Sequence, residues 1–258
     1  MTQITIDLNK SVEENASVYY EKAKKAKKKL RGAEEALQKS LFKLSKLKQK
    51  EGVDSKKIII KKPKKTEWYE KFRWFISSEG FLVIGGRDVT SNEIVVKKHT
   101  DANDLVFHTD MAGSPFFVIK ANNKRIGDAT LKETADATCS YSRAWRFGLA
   151  ASSVFYVRPE QVTKEAKPGE YLPRGAFMIK GKTNYISNRI NCAIGITKDG
   201  KIMGGPSEAI EKNCEEYVEI QQGKDKTSKI AKQIKAKIGG DLDDIIRAMP
   251  AGGAEIKG

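Results

Sequence analysis

The spacing of apolar positions changes twice along the chain. Ala16, Tyr19, Ala23, Ala26, Leu30, Ala33, Leu37, Ser40, Leu44 and Leu47 recur every three or four residues with Lys, Glu and Gln between them. That is a heptad seam, and it predicts one long helix ending near Gln49. Ser11 suits its N-cap, with Glu13 and Glu14 in the first turn where the dipole favours acid. Ahead of it, Ile4, Ile6 and Leu8 alternate with polar residues, as in a short strand or an extended lead-in.

Past Gly52 the period shortens. Phe81–Ile84, Ile94–Val96 and Phe116–Ile119 are short apolar runs, and 105–110 (LVFHTD) partly alternates. Together they predict a small sheet. Alternation sets Leu105, Phe107 and Thr109 on one side and Val106, His108 and Asp110 on the other. In 68–76 the aromatics predict a helical segment with Trp68, Phe72 and Phe75 on one face. Thr130 and Glu133 stand at capping-box spacing before the stripe Leu131, Ala135, Thr138, Tyr141, Trp145 and Leu149, a helix expected to lie on the sheet. Val154–Val157 and Ala176–Ile179 read as strands. Further on come a hairpin around Asp199-Gly200, a short helix over 207–213, a strand over 217–220, amphipathic helices over 226–238 and 241–249, and a loose end after Gly252. The expected class is α+β: a mainly antiparallel sheet with packed helices, plus a long N-terminal coiled-coil helix.

Four segments follow: a coiled-coil arm (1–55), a basic linker (56–67), a core (68–190) and a C-terminal extension with hairpin and short helices (191–258). The seam has no second heptad segment of matching length in this sequence. It would therefore be completed by a partner helix on another chain or a second copy, unless it folds against its own domain. Within the linker, KKIIIKKPKK is either a charge-protected edge strand or an arm that contacts phosphates.

Charge sharpens this division. The chain has 48 Lys and Arg against 33 Asp and Glu, a net charge of +15, and residues 1–65, with 19 basic and 8 acidic side chains, hold +11 of it. A basic arm beside a nearly balanced domain suits a polyanionic partner, although a solvated helix needs only solubility. Cys139, Cys192 and Cys214 are far apart and in no CxxC arrangement, so neither a disulfide framework nor a zinc site is indicated. No apolar run approaches the length of a membrane helix and no signal peptide is evident, which fits the cytosol.

Between the apolar runs sit groups that strand packing does not require. Gly85-Gly86-Arg87-Asp88 allows close backbone approach and offers a guanidinium fork for phosphate, or is simply a tight turn. Asn92-Glu93 belongs either to that surface or to a hairpin turn. His108 and Asp110 share a face near Gly113-Ser114, so a hydrolase triad is conceivable, but no nucleophile elbow surrounds Ser114; a structural histidine or a nucleic-acid contact competes with it. Ser140, Ser142, Arg143 and Arg146 could line the same cleft. The stretch 161–182 mixes Lys164, Tyr171, Lys180 and Lys182 with glycines, a composition suited to looped RNA, where cations hold phosphates and an aromatic stacks on a base. Nucleotide-binding loops are missing, and no cofactor is indicated.

WYEKFRWFISSEGFLVIGGRD (68–88), SNE (91–93), DLVFHTDMAGSP (104–115) and QVTKEAKPGEYLPRGAFMIKGKTNYI (161–186) closely resemble the NFACT-R domain (DUF814), the RNA-binding part of NFACT or fibronectin-binding-protein-like proteins. The tail resembles archaeal-type members. The resemblance implies a non-enzymatic, cytoplasmic RNA-binding module of ribosome-associated quality control, binding tRNA and rRNA on obstructed large ribosomal subunits. It carries over Arg87, Asp88, Asn92, Glu93, His108, Asp110, Gly113, Ser114, Lys164, Tyr171, Lys180 and Lys182 as RNA-contact candidates. The N-terminal and helix-hairpin-helix regions of full-length members have no counterpart in this sequence, so the expectation is either a fragment, or a stand-alone chain with an accessory role or a separate subunit that supplies them. The rival readings are an adaptor that binds protein through the coiled coil and an enzyme acting on RNA or nucleotides.

Overall fold

A computed structural model describes residues 5–9, 11–50, 66–165, 172–173 and 175–257. The basic stretch KKIIIKKPKK and Tyr171 lie outside these. The chain divides into two units, 1–64 and 65–258.

In the first unit, helix α1 spans Val12–Lys50. Its start is capped reciprocally: the Glu14 amide donates to Ser11 Oγ (3.1 Å) and the Ser11 amide to Glu14 Oε2 (2.8 Å), which satisfies two amides that the first turn leaves unbonded. Residues 5–7 form no strand. They are a lead-in fastened to the helix by Tyr19, whose hydroxyl donates to the Thr5 carbonyl (2.6 Å), and by Asn15, which accepts from the Asp7 amide (2.9 Å). The seam residues Tyr19, Leu30 and Leu37 are exposed.

The second unit is α+β, and every paired strand in it is antiparallel. Its elements in chain order are β1 (Arg73–Ile76), β2 (Leu82–Gly85), α2 (Val89–Lys98), β3 (Leu105–Thr109), β4 (Phe117–Ile119), α3 (Asp128–Ser140), α4 (Arg143–Phe147), β5 (Val154–Val157), β6 (Val162–Thr163), β7 (Met178–Ile179) and β8 (Asn184–Ile186). Then follow β9 (Cys192–Ile196), β10 (Ile202–Gly205), α5 (Ser207–Asn213), β11 (Glu216–Asp225), α6 (Thr227–Ile238), α7 (Leu242–Ala248) and β12 (Ala254–Ile256). A six-stranded sheet runs β1-β2-β4-β3-β5-β8, a four-stranded one β10-β9-β11-β12, and β6 pairs β7.

The first sheet is covered on both faces. Helix α3 packs on β3, β4 and β5, while α2 packs on β2 and β4. Adjacent residues therefore bury together: Val106 and Phe107 are inaccessible, as are Val118 and Ile119. Such strands read as continuous apolar runs rather than alternating ones. Behind β1, the second sheet closes the core, with Phe75 against Gly205 and the Ile76 amide 3.3 Å from Met203 Sδ.

Four local expectations are corrected. Residues 68–76 are a turn followed by β1, because Trp74 and Phe75 are buried on opposite faces, which no single helical face allows. Ile94–Val96 is the middle of α2, not a strand; Asp88 and Ser91 cap that helix and only Val95 of the triplet is fully buried. The Thr130–Glu133 capping box does not form. Instead Glu79, from the β1–β2 turn, accepts the Thr130 amide (2.9 Å), and Glu133 accepts the Ser78 amide (2.9 Å), so two turns distant in sequence cap each other. The C-terminal residues are not loose but form β12, which pairs with a ten-residue β11 longer than the strand expected there.

Candidate nucleic-acid interface

The glycine pair at the end of β2 brings three elements together. Gly86 N–H donates to the Phe116 carbonyl (3.0 Å), and Asn92 Oδ1 accepts the Phe116 amide (3.0 Å). A Cβ on residue 86 would come within 1.8 Å of that same Asn92 oxygen. The turn therefore needs glycine for space, and Asn92 serves as a clasp between α2 and β4. Asp88 begins α2 as its N-cap, accepting the Ser91 amide (2.8 Å), while Ser91 Oγ accepts the Asp88 amide (2.8 Å). The Ser91 amide, the largest cause, holds the Asp88 carboxyl below its usual pKa. Arg87 is left projecting, half-buried, from the start of the helix.

His108 sits one face away from α3. Its Nε2 lies 3.1 Å from the Ser114 carbonyl, and its ring stacks on Phe116 at 4.1 Å. Burial lowers its pKa, with hydrogen bonds to Ser114 and Thr109 opposing the shift. The Ser114 hydroxyl points elsewhere: it is 2.5 Å from Thr109 Oγ1 and donates to the Met111 carbonyl (2.9 Å). The conceivable triad is thus not assembled, since the histidine meets the serine's carbonyl and not its Oγ. Asp110 is exposed and accepts the Tyr185 hydroxyl, 3.2 Å from each carboxylate oxygen. Gly113, at φ +81°, lies under Arg143; a Cβ there would come 2.8 Å from Arg143 Nε.

The lysine-bearing segment reaches the same face. Lys164 Nζ donates to the Ala176 carbonyl (2.7 Å), stands 4.4 Å from the Phe177 ring centroid and lies 3.6 Å from Glu93. Glu93 also pairs with Lys97 at 2.7 Å. Phe177 meets Phe116 edge-on at 5.2 Å, so aromatic contacts run from His108 through Phe116 and Phe177 to Lys164. Lys180 pairs with Glu165, and Gln161 Nε2 donates to the carbonyls of Lys180 (2.8 Å) and Lys182 (2.9 Å), leaving the Lys182 side chain exposed.

Of the further cleft candidates, Arg143 belongs to this surface. Ser140 instead donates to the Asn191 carbonyl (3.1 Å), and Ser142 caps α4. Tyr185, exposed on the edge strand β8 and bonded to Asp110, joins this surface without having stood out in the sequence. Nor did buried Asp136, which gathers Lys132, Arg189 and Asn191. Among the described residues, no group of His, Cys, Asp and Glu could hold a metal ion, and no helix is long and apolar enough to cross a membrane.

Residues 71–181 match the family described as NFACT protein RNA binding domain. The chain is 41% identical over 217 residues to an archaeal Rqc2 homolog, aRqcH, of Methanocaldococcus jannaschii, covering 81% of this chain and 32% of that protein. It is 40% identical over 175 residues to the human ribosome quality control complex subunit NEMF (67% and 16%) and 34% identical over 190 residues to ribosome quality control complex subunit 2 of Schizosaccharomyces pombe (71% and 18%). This chain spans about a third or less of the length of these relatives. The archaeal similarity extends over more of it than the eukaryotic ones do. The domain that carries the Gly86, His108 and Lys164 surface, residues 71–181, is an NFACT-R domain of archaeal type.

Proposed function

We propose that this chain is a cytoplasmic RNA-binding module of ribosome-associated quality control that engages tRNA and rRNA on obstructed large ribosomal subunits. The observation that supports it most is the meeting of the Gly86–Arg87 turn, the His108 strand end and the Lys164 segment on one face of a domain whose family is described as RNA-binding. On this reading Arg87, Lys180, Lys182 and Arg143 meet phosphates, and Tyr185 and Tyr171 offer rings for stacking. Asp110 orients Tyr185, Gly113 makes room for Arg143, and Asp88, Asn92, Glu93, His108, Ser114 and Lys164 hold the wall in shape.

Ultraviolet crosslinking of the purified full chain, followed by sequencing of the attached RNA, tests this. Enrichment of tRNA and large-subunit rRNA, together with co-sedimentation with large subunits, is the expected result. Salt-insensitive capture of a protein partner with no crosslinked RNA would favour an adaptor working through α1.

A further inference from the structure

A second basic feature lies where the family domain meets the C-terminal helices. Lys71, Arg73, Arg87 and Arg247 line a cleft of about 540 Å³ together with Ile246 and Asp88. Arg73 forms its floor: Nη1 donates to the Met249 carbonyl (3.1 Å), and the guanidinium lies 4.4 Å from the Tyr141 ring centroid. Tyr141 is itself buried and donates to the Ala248 carbonyl (2.7 Å), so the arginine is held from behind.

The positive charge here is only partly answered. Arg247 lies 3.6 Å from Asp244, but neither Arg73 nor Arg87 is ion-paired among the described residues. Among the described residues, Asp88 is the one acid lining the cleft, and its carboxylate turns to the helix amides. Burial lowers the pKa of both arginines; Arg247 adds to the shift at Arg87, opposed by Asp88 and Asp244, and Arg87 adds to it at Arg73, opposed by Tyr141. Arginine nevertheless stays charged at any physiological pH. Several guanidinium groups that repel one another in a partly dehydrated cleft are what an incoming polyanion relieves, and their forks match phosphate oxygens.

We propose that this cleft is a phosphate-holding subsite for RNA, in which Arg87 and Arg247 bind backbone phosphates, Arg73 supplies fixed charge from the floor, and exposed Ile246 is the apolar wall for a sugar or base edge. It rests on the RNA-binding reading above and adds to it a residue, Arg247, that lies beyond the matched family region. The C-terminal helix would then be part of the binding surface and not only of the scaffold.

The test measures the affinity of the full chain for fluorescently labelled deacylated total tRNA between 0.1 and 1 M KCl. Each phosphate contact contributes about 0.7–0.9 to the slope of log affinity against log salt. Removing two contacts by Arg87→Gln with Arg247→Gln should lower the slope by about 1.4–1.8 and the affinity at 0.1 M by roughly 25- to 60-fold, with convergence on wild type at 1 M. Arg73 is left intact because its loss would disturb the core. Lys232→Gln with Lys235→Gln, on the exposed side of α6, removes the same net charge and should change the slope far less. Thermal melts confirm that both variants fold. A cleft variant whose slope equals that of wild type, or of the α6 control, overturns the subsite and leaves the RNA reading standing. Absence of salt-dependent tRNA binding by the wild-type chain removes the RNA reading itself.

Discussion

Gly86→Ala isolates the joint on which the candidate surface is built. The new methyl would stand 1.8 Å from Asn92 Oδ1 and 2.8 Å from Asn92 Cα. Rotating the Asn92 side chain relieves the first contact, but only by releasing the Phe116 amide, a buried group that loses its acceptor at a cost of about 1–3 kcal/mol. The second contact is with backbone, so α2 must shift, adding about 1–3 kcal/mol of overpacking. The expected total is about 2–6 kcal/mol. Asn92→Ala alone loses the same hydrogen bond. In the double variant that loss is counted once, so the two single effects should exceed the double by about 1–3 kcal/mol. Urea unfolding followed by tryptophan fluorescence is well placed to measure this, because all three tryptophans (Trp68, Trp74 and Trp145) lie in the second unit. Additive single effects, or a Gly86→Ala cost below about 1 kcal/mol, would refute the clasp.

Three further outcomes are expected. Lys120 is buried and bonds the His99 carbonyl (2.9 Å), Asp101 and the wholly buried Asp104; Lys120→Met should cost about 3–5 kcal/mol because Asp104 is left charged and inside, and adding Asp104→Asn should recover part of it. His108 has a folded pKa below its ordinary 6.5, so the unfolded chain binds more protons below that pH, and stability should fall as pH drops from about 6.5 towards the folded pKa. His108→Gln should flatten that part of a melting-temperature profile, with any residual slope traced to His99, which is also lowered by burial; an unchanged slope would sink the assignment. Burial pushes the Cys139 and Cys192 thiols up to about 11 and about 12, so native protein at pH 8 should resist iodoacetamide at both positions until unfolded.

The class of fold and several elements were legible because their signals are local. The helix over 207–213 after Pro206, the strand over 154–157 and the hairpin turn at Asp199-Gly200 depend on a proline start, a short apolar run and turn residues, all of them local. What misled was burial on two sides. Trp74 and Phe75 look helical until the second sheet is known to sit behind β1, and Ile94–Val96 looks like a strand because β-branched residues also suit one face of a short, well-capped helix. The Glu79–Thr130 cap joins residues 51 apart, and local pattern cannot reveal it. The candidate site divides in the same way. The Gly85-Gly86-Arg87-Asp88 turn and His108 stand out in sequence as residues that strands do not need, whereas Arg247 is one charge on an amphipathic helix until the chain folds back to place it beside Arg87.

Folding back also separates the candidate residues by the work their polar atoms already do. Asp88 caps α2, Asn92 holds the Phe116 amide, Ser114 is engaged by Thr109 and Met111, and His108 is stacked on Phe116 and tied to the Ser114 carbonyl. Any RNA contact from these groups would require giving up a bond the fold uses, at about 1–3 kcal/mol each. Arg87 and Lys182 make no such bond with their side chains among the described residues, so a phosphate costs them only their hydration. Alanine substitutions should therefore fall into two sets: at Asp88, Asn92 and Ser114 the melting temperature drops and the salt slope of RNA binding holds, whereas at Arg87 and Lys182 the slope drops and the melting temperature holds. The acidic candidates belong with the first set on charge grounds too, since a carboxylate beside a phosphate is repelled unless a cation stands between them, as Lys97 and Lys164 do at Glu93.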